Sequence, residues 1–223
     1  MTKDPEHTFL FADLAGFTAL TEAHGDEHAV ELAADFTDCI RSLLPEYQAA
    51  EVKTIGDAMM VCCEDPAGAI DLGLQIVEEI AARPQFPIVR VGMHTGPAIE
   101  RDGDWFGGAV NVAARVSGAA SGGEVLLTEA TRLATGDLDS IELRARGEQR
   151  FKNVKEPIGL FLARRRGDEP EVLPIDPVCR MAVDPADEAG RLSFGGREYH
   201  FCSLRCARAF VATPDDYVHE DEE

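Results

Sequence analysis

EVKTIGDAMMV, residues 51–61, decides how the rest of the chain is read. Two short runs with strand character, 50–55 and 58–63, flank Gly56-Asp57, a pair suited to a tight turn. The stretch therefore reads as a hairpin that carries Lys53 on one arm and Asp57 at its tip. Lysine is scarce here, with only Lys3, Lys53, Lys152 and Lys155 in the chain, so one placed four residues before an aspartate invites a functional explanation.

Working outward, 7–13 (HTFLFAD) is an apolar run of strand formers, and Gly16 opens a helical stretch. Residues 26–44 place Val30, Leu32, Ala33, Phe36, Ile40 and Leu43 at helical spacing. A second helix is expected over 66–83, closed by Pro84, and a strand over 88–94, where Val89, Val91 and Met93 alternate with Arg90 and Gly92. Further on, 106–118 reads as a helix, while 123–128, 141–146 and 158–163 read as strands. Strand, helix, strand, strand, helix, strand is the α+β, ferredoxin-like pattern βαββαβ, an antiparallel sheet with helices on one face. In that topology the first strand lies beside the third and runs oppositely. Asp13, ending the first strand, should then meet Asp57, opening the third.

The formal charge of −20 argues against nucleic acid as a partner, because phosphate neutralisation needs a clustered basic surface. It equally disfavours an anionic membrane surface. No stretch approaches the ~20 apolar residues that cross a bilayer, and MTKDPEHT has no apolar signal core. A cytoplasmic protein is expected, and in a reducing compartment the six cysteines favour metal ligation over disulfides. Cys39, Cys62 and Cys63 sit among apolar residues and read as small core side chains.

Taken singly, Asp13 and Asp57 are an ordinary strand-end and an ordinary turn aspartate. Brought together, two carboxylates repel and call for a cation or a shared proton. Hard oxygen ligands suit Mg²⁺ or Mn²⁺. In RDGDWFGGAVNVAARV, residues 101–116, Asn111 and Arg115 stand four apart and share a helix face, which alone could be a solvated polar stripe.

FADLAGFT, KTIGDAMM and DWFGGAVNVAAR resemble the motifs of the class III nucleotidyl cyclases, and the likeness runs from about residue 8 to 163, including FKNVKEPIGLFL. No GxxxxGK[ST] loop is present to compete with it. The resemblance implies that Asp13 and Asp57 hold two Mg²⁺ or Mn²⁺ ions per active site, and that the backbone of Gly16, Phe17 and Thr18 contacts the phosphates of ATP. It gives Arg115 the charge growing at the α-phosphate, Asn111 the ribose and Lys152 a phosphate contact, with Asn153 where glycine is usual. Lys53 and Asp104 would read the base: adenine offers N1 as an acceptor and its amino group as a donor, which matches a lysine and a carboxylate. Guanine presents the reverse. The family further implies a homodimer with shared sites, the metal aspartates of one chain facing the base, ribose and transition-state residues of the other. Ala49-Ala50 stands where Gly-Gly is common in the family.

Residues 165–173 are charged and carry Gly and Pro, as a linker does. Residues 174–218 contain DPVCRM and GREYHFCSLRCARAF, with Cys179, Cys202 and Cys206 gathered in a segment too short to bury much apolar surface. Such thiolates fit Zn²⁺ or another soft metal that would help the segment fold. The segment resembles a YHS domain, related to the TRASH metal-binding fold, with Tyr199, His200 and Ser203 as the naming residues. His200 could be a fourth ligand or an internal hydrogen-bond partner. Residues 219–223 form an acidic tail.

The expectation is an adenylyl cyclase over residues 1–164, converting ATP to cyclic AMP and pyrophosphate, with an appended domain whose metal has a structural or a modulating role. The alternative is a non-catalytic nucleotide- or metal-responsive protein on a cyclase scaffold. Guanylyl specificity fits Lys53 and Asp104 less well.

Overall fold

The computed structural model describes residues 6–167 and 173–218. The acidic tail and part of the expected linker lie outside them. Strand β1 (Glu6–Leu14) leads through helix α1 (Phe17–His24) and helix α2 (Asp26–Leu43) to the hairpin of β2 (Ala50–Ile55) and β3 (Ala58–Cys63). Helix α3 (Pro66–Ala81) follows, started by Asp65, whose carboxylate accepts from the amides of Ala67 and Gly68, with Pro66 preset for the first turn. Strand β4 (Val89–Pro97) returns beside β1.

These strands take the order β2-β3-β1-β4, the ferredoxin-like arrangement read from the sequence. Strands β7 (Val125–Thr128), β9 (Ile158–Arg165) and β8 (Ile141–Gln149) extend the sheet to seven, and β4 pairs with β7 in parallel. The expectation of helices on one face is corrected by α4 (Gly108–Ala119). Alternate residues of β1 explain why. Leu10, Ala12 and Leu14 join the core shared with α2 and α3, whereas Phe9 and Phe11 pack with Ala109, Val110 and Ala113 of α4 on the other side. Gly92 permits that second layer, since a Cβ there would lie 1.9 Å from the Ser117 backbone nitrogen.

Within residues 6–167, three short elements escaped the sequence reading. Strands β5 (Ile99–Arg101) and β6 (Asp104–Phe106) form a small hairpin before α4, and α5 (Glu129–Ala134) follows β7. Strand β9 also runs further than its apolar alternation suggested. Arg165 is its last residue and pairs with Asp71 and Glu78 of α3.

The C-terminal segment contains the β10 (Gly190–Phe194) and β11 (Arg197–Phe201) hairpin and α6 (Leu204–Ala212), capped by Ser203 accepting from the Cys206 amide. It is not a detached bead. Pro87 bridges Met181, and the Gln85 amide donates to the Ala182 carbonyl at 2.8 Å, with Ala182 returning a bond to Phe86. Phe86, Val178, Cys179, Met181, Phe201 and Phe210 belong to the same buried cluster as the α2–α3 core. Cys39, Cys62 and Cys63 are buried as expected, and burial pushes the Cys62 and Cys63 thiols up to about 11 and about 12.

Candidate active site and metal centre

Strand pairing brings the two carboxylates together. Asp13 is opposite Ala58 in the β1–β3 register, and the Leu14 amide donates to the Asp57 carbonyl at 3.4 Å. Burial raises the Asp57 pKa first, and the charge of Asp13 raises it further. That is the electrostatic signature of a site wanting positive charge. Part of the want is met by Arg90 on β4, directly across from Asp13, which donates to Asp13 Oδ2 through Nε (2.8 Å) and Nη2 (2.5 Å). Arg90 was visible only as a polar residue in an alternating strand; its register against Asp13 reveals the role. The donor set of two half-buried hard-oxygen ligands fits Mg²⁺ or Mn²⁺, which complete their shells with water and phosphate.

Gly16 sits between β1 and α1 with φ of 86°, the left-handed conformation that glycine adopts without penalty. Phe17 and Thr18 begin α1, whose N-terminus has no side-chain cap. The residue facing Gly16 comes from the C-terminal segment: a Cβ on Gly16 would lie 2.6 Å from Arg180 Cγ.

Lys53 and Asp104 meet across the β2 arm and the β5–β6 hairpin. Lys53 Nζ donates to Asp104 Oδ1 at 2.8 Å and Oδ2 at 2.6 Å, and lies 5.7 Å from the Phe106 ring centre. The Lys53 hydrogen bond holds the Asp104 carboxyl below its ordinary range. The Trp105 amide, donating to Asp104 Oδ1 at 2.8 Å, orients the carboxylate further. A bulge between Glu51 and Lys53 shifts the β2 register beside this pair.

Asn111 and Arg115 share the outward face of α4, Asn111 exposed and Arg115 half-buried, while Val110, Val112, Ala113 and Val116 pack inward. Among the described residues neither side chain has a hydrogen-bond partner, so the structure does not join them to either acidic pair within one chain. Lys152 is exposed in the loop before β9. Its neighbour Asn153 has φ of 66°, which accounts for an asparagine where glycine is usual, since asparagine tolerates the left-handed region best after glycine.

Cys179, Cys202 and Cys206 converge as free thiols, with Sγ–Sγ separations of 3.4 Å for 179–202 and 3.8 Å for 202–206. Asp176, fully buried, shapes their loops by accepting from the amides of Val178, Cys179 and Cys202. His200 is turned elsewhere: its Nδ1 lies 2.5 Å from Glu188 Oε2, the internal hydrogen bond that was one of its two readings. A different histidine, His24 at the end of α1, enters the cluster instead. Three sulfurs and an imidazole nitrogen fit a soft metal such as Zn²⁺.

Residues 1–164 match the family model of the adenylate and guanylate cyclase catalytic domain, and residues 175–221 match that of the YHS domain. The chain belongs to the adenylate and guanylate cyclase catalytic-domain family and carries a YHS domain. A pH-sensitive adenylate cyclase of Mycobacterium tuberculosis is 40% identical over 161 residues, 71% of this chain and 40% of that protein. An adenylate cyclase of Streptomyces griseus is 31% identical over 176 residues, 78% of this chain and 44% of that one. The chain thus spans less than half the length of these curated relatives. Among solved structures, a Trypanosoma brucei adenylate cyclase in its monomeric state superposes with a TM-score of 0.66 at 25% identity, covering 71% of this chain and 88% of that one. The adenylyl cyclase CyaB of P. aeruginosa shares the fold, with a TM-score of 0.62 at 22% identity and coverage of 75% and 96%. No helix among the described residues is long and apolar enough to cross a membrane.

Proposed function

We propose that this chain is an adenylyl cyclase that converts ATP to 3′,5′-cyclic AMP and pyrophosphate at sites shared by two copies. The observation that carries this reading is the joint placement of two pairs, Asp13 with Asp57 at one strand junction and Lys53 with Asp104 beside the β5–β6 hairpin. Asp13 and Asp57 would hold two divalent ions, which when bound supply Lewis-acid activation of the ribose 3′-hydroxyl and neutralise the triphosphate. Arg90 holds the Asp13 carboxylate in place through its paired hydrogen bonds. Lys53 would donate to adenine N1 and Asp104 would accept from the amino group, exchanging their mutual bond for two bonds to the base. GTP would leave both groups mismatched, and unpaired polar groups are the strongest basis for rejection.

Arg115 would stabilise the charge that develops on the α-phosphate, and Asn111 would fix the ribose so that its 3′-oxygen stays in line. Lys152 and the Gly16–Phe17–Thr18 backbone would hold the phosphates. Among the described residues the Asn111 and Arg115 side chains have no hydrogen-bond partner, which supports a second copy as the source of half of each site. The domain boundaries fall at residues 1–164 and 174–218, and we place the protein in the cytoplasm. Metal at the cysteine cluster would modulate turnover through its contact with α1.

Purified protein supplied with Mn²⁺ and either ATP or GTP tests the reading by detection of cyclic product. Cyclic AMP from ATP is expected, in large excess over cyclic GMP from GTP. Product from GTP alone would overturn the base-reading assignment, and no product from either would favour a non-catalytic binding protein.

A further inference from the structure

The cysteine cluster draws its fourth side chain from the other domain. His24 Nε2 lies 3.6 Å from Cys202 Sγ and 3.8 Å from Cys206 Sγ, and one ligand atom from each of His24, Cys179, Cys202 and Cys206 falls within 4.8 Å of all the others. These spacings can be compared with a metal tetrahedron. With Zn–S of ~2.3 Å and Zn–N of ~2.0–2.1 Å, tetrahedral edges come to ~3.8 Å between sulfurs and ~3.6 Å between sulfur and nitrogen. Two sulfur edges of 3.4 and 3.8 Å and two nitrogen edges of 3.6 and 3.8 Å scatter about those values, and the remaining two, both to Cys179, lie within 4.8 Å. Cys179 and Cys206 are buried, and His24 and Cys202 are half-buried.

We propose that His24 is the fourth ligand of a tetrahedral Cys₃His site for a divalent ion of the zinc class, and that the ion staples the YHS domain to α1 of the cyclase domain. The inference rests on the reading of the three cysteines as metal ligands and adds the ligand that lies outside their domain. Four protein ligands leave no open position, which makes the site a structural one. Its leverage comes from where α1 begins. The helix spans Phe17–His24, so the ligand histidine sits at one end and Gly16 with the first helical residues at the other, ~12 Å away along a rigid element. The YHS domain touches both ends. Arg180, the residue after ligand Cys179, packs on Gly16, and Arg205 Nη2 donates to the Glu22 carbonyl at 3.2 Å. An ion that draws His24 to the cysteines therefore fixes the helix start that would contact the phosphates.

The test is Co²⁺ substitution of the full chain, read by its visible absorption, together with Zn²⁺ retention against a chelator. The intact chain should bind one ion with the intense bands of a tetrahedral thiolate-rich site. H24A should weaken Zn²⁺ retention at least ~100-fold, the upper end of what altering an outer-shell partner costs. H24C should restore retention and add sulfur-to-cobalt charge transfer, and H200A should match the unsubstituted chain. Hydrogen exchange over residues 17–24 should slow on Zn²⁺ binding in the intact chain and not in H24A. An H24A chain with unchanged spectrum and retention, or a loss found in H200A instead, would overturn the assignment of His24. Failure of the intact chain to take up either ion would overturn the cysteine reading along with it.

Discussion

The carboxylate junction and the cysteine cluster are both suited to cations, yet they are built on opposite plans. Asp13 and Asp57 supply two hard ligands at a strand junction, and the remaining groups the proposed reaction needs, Asn111 and Arg115, face away on α4. The cysteine cluster gathers three thiols and the His24 imidazole inside one chain, a full set of four for the proposed ion. An incomplete shell leaves room for water and phosphate, as turnover requires; a complete one excludes exchange and serves position. On the proposed reading the first site depends on substrate and a second copy, while the second depends on neither.

The largest expected effect comes from breaking the open site. Asp13→Ala should lower cyclic AMP formation by roughly 10³-fold, and Arg115→Ala by ~10²–10³-fold in kcat, the usual cost of removing a group that meets transition-state charge. Steady-state rates with Mn²⁺ and ATP check both. Neither change should alter Zn²⁺ retention at the cysteine cluster. Next in size is selectivity. Lys53→Ala should reduce the ATP-over-GTP ratio of kcat/KM by about 10²-fold, because Asp104 alone cannot distinguish the two bases through paired contacts. Competition assays measure that ratio directly.

A smaller effect concerns stability. The Asp57 pKa is raised by burial and by Asp13, so the folded chain binds that proton more tightly than the unfolded chain. Stability from this group is therefore lost as pH rises from the ordinary carboxylate range through the raised value, and above it the penalty is full. Asp57→Asn should melt higher than the unsubstituted chain at neutral pH without metal, the gap closing in acid and on addition of Mn²⁺. Thermal melts across pH check the sign. A gap that widens in acid would contradict it.

Much of this arrangement was legible in the sequence. The β2–β3 hairpin falls at 50–55 and 58–63 as read, because alternating apolar residues and a Gly-Asp turn are local signals. The junction of Asp13 with Asp57 followed from topology alone. What stayed hidden was either too short or too distant. Strands β5 and β6 have three residues each, too few to show a period, although they carry Asp104 to Lys53. Arg90 needed the β1–β4 register. His24 is 178 residues from Cys202 in the chain, and nothing in its local sequence marks it as a ligand. The second helical layer was missed because apolar residues at helical spacing in α4 do not say which face of the sheet they cover.

The shared site is the central claim, and mixing two inactive chains tests it most directly. Asp57→Ala disables the proposed metal-holding half and Asn111→Ala the ribose-holding half. Combined one to one, half of the dimers pair unlike chains, each with one of two sites intact, so about one quarter of the unsubstituted rate should return. A mixture no more active than either chain alone would contradict the account.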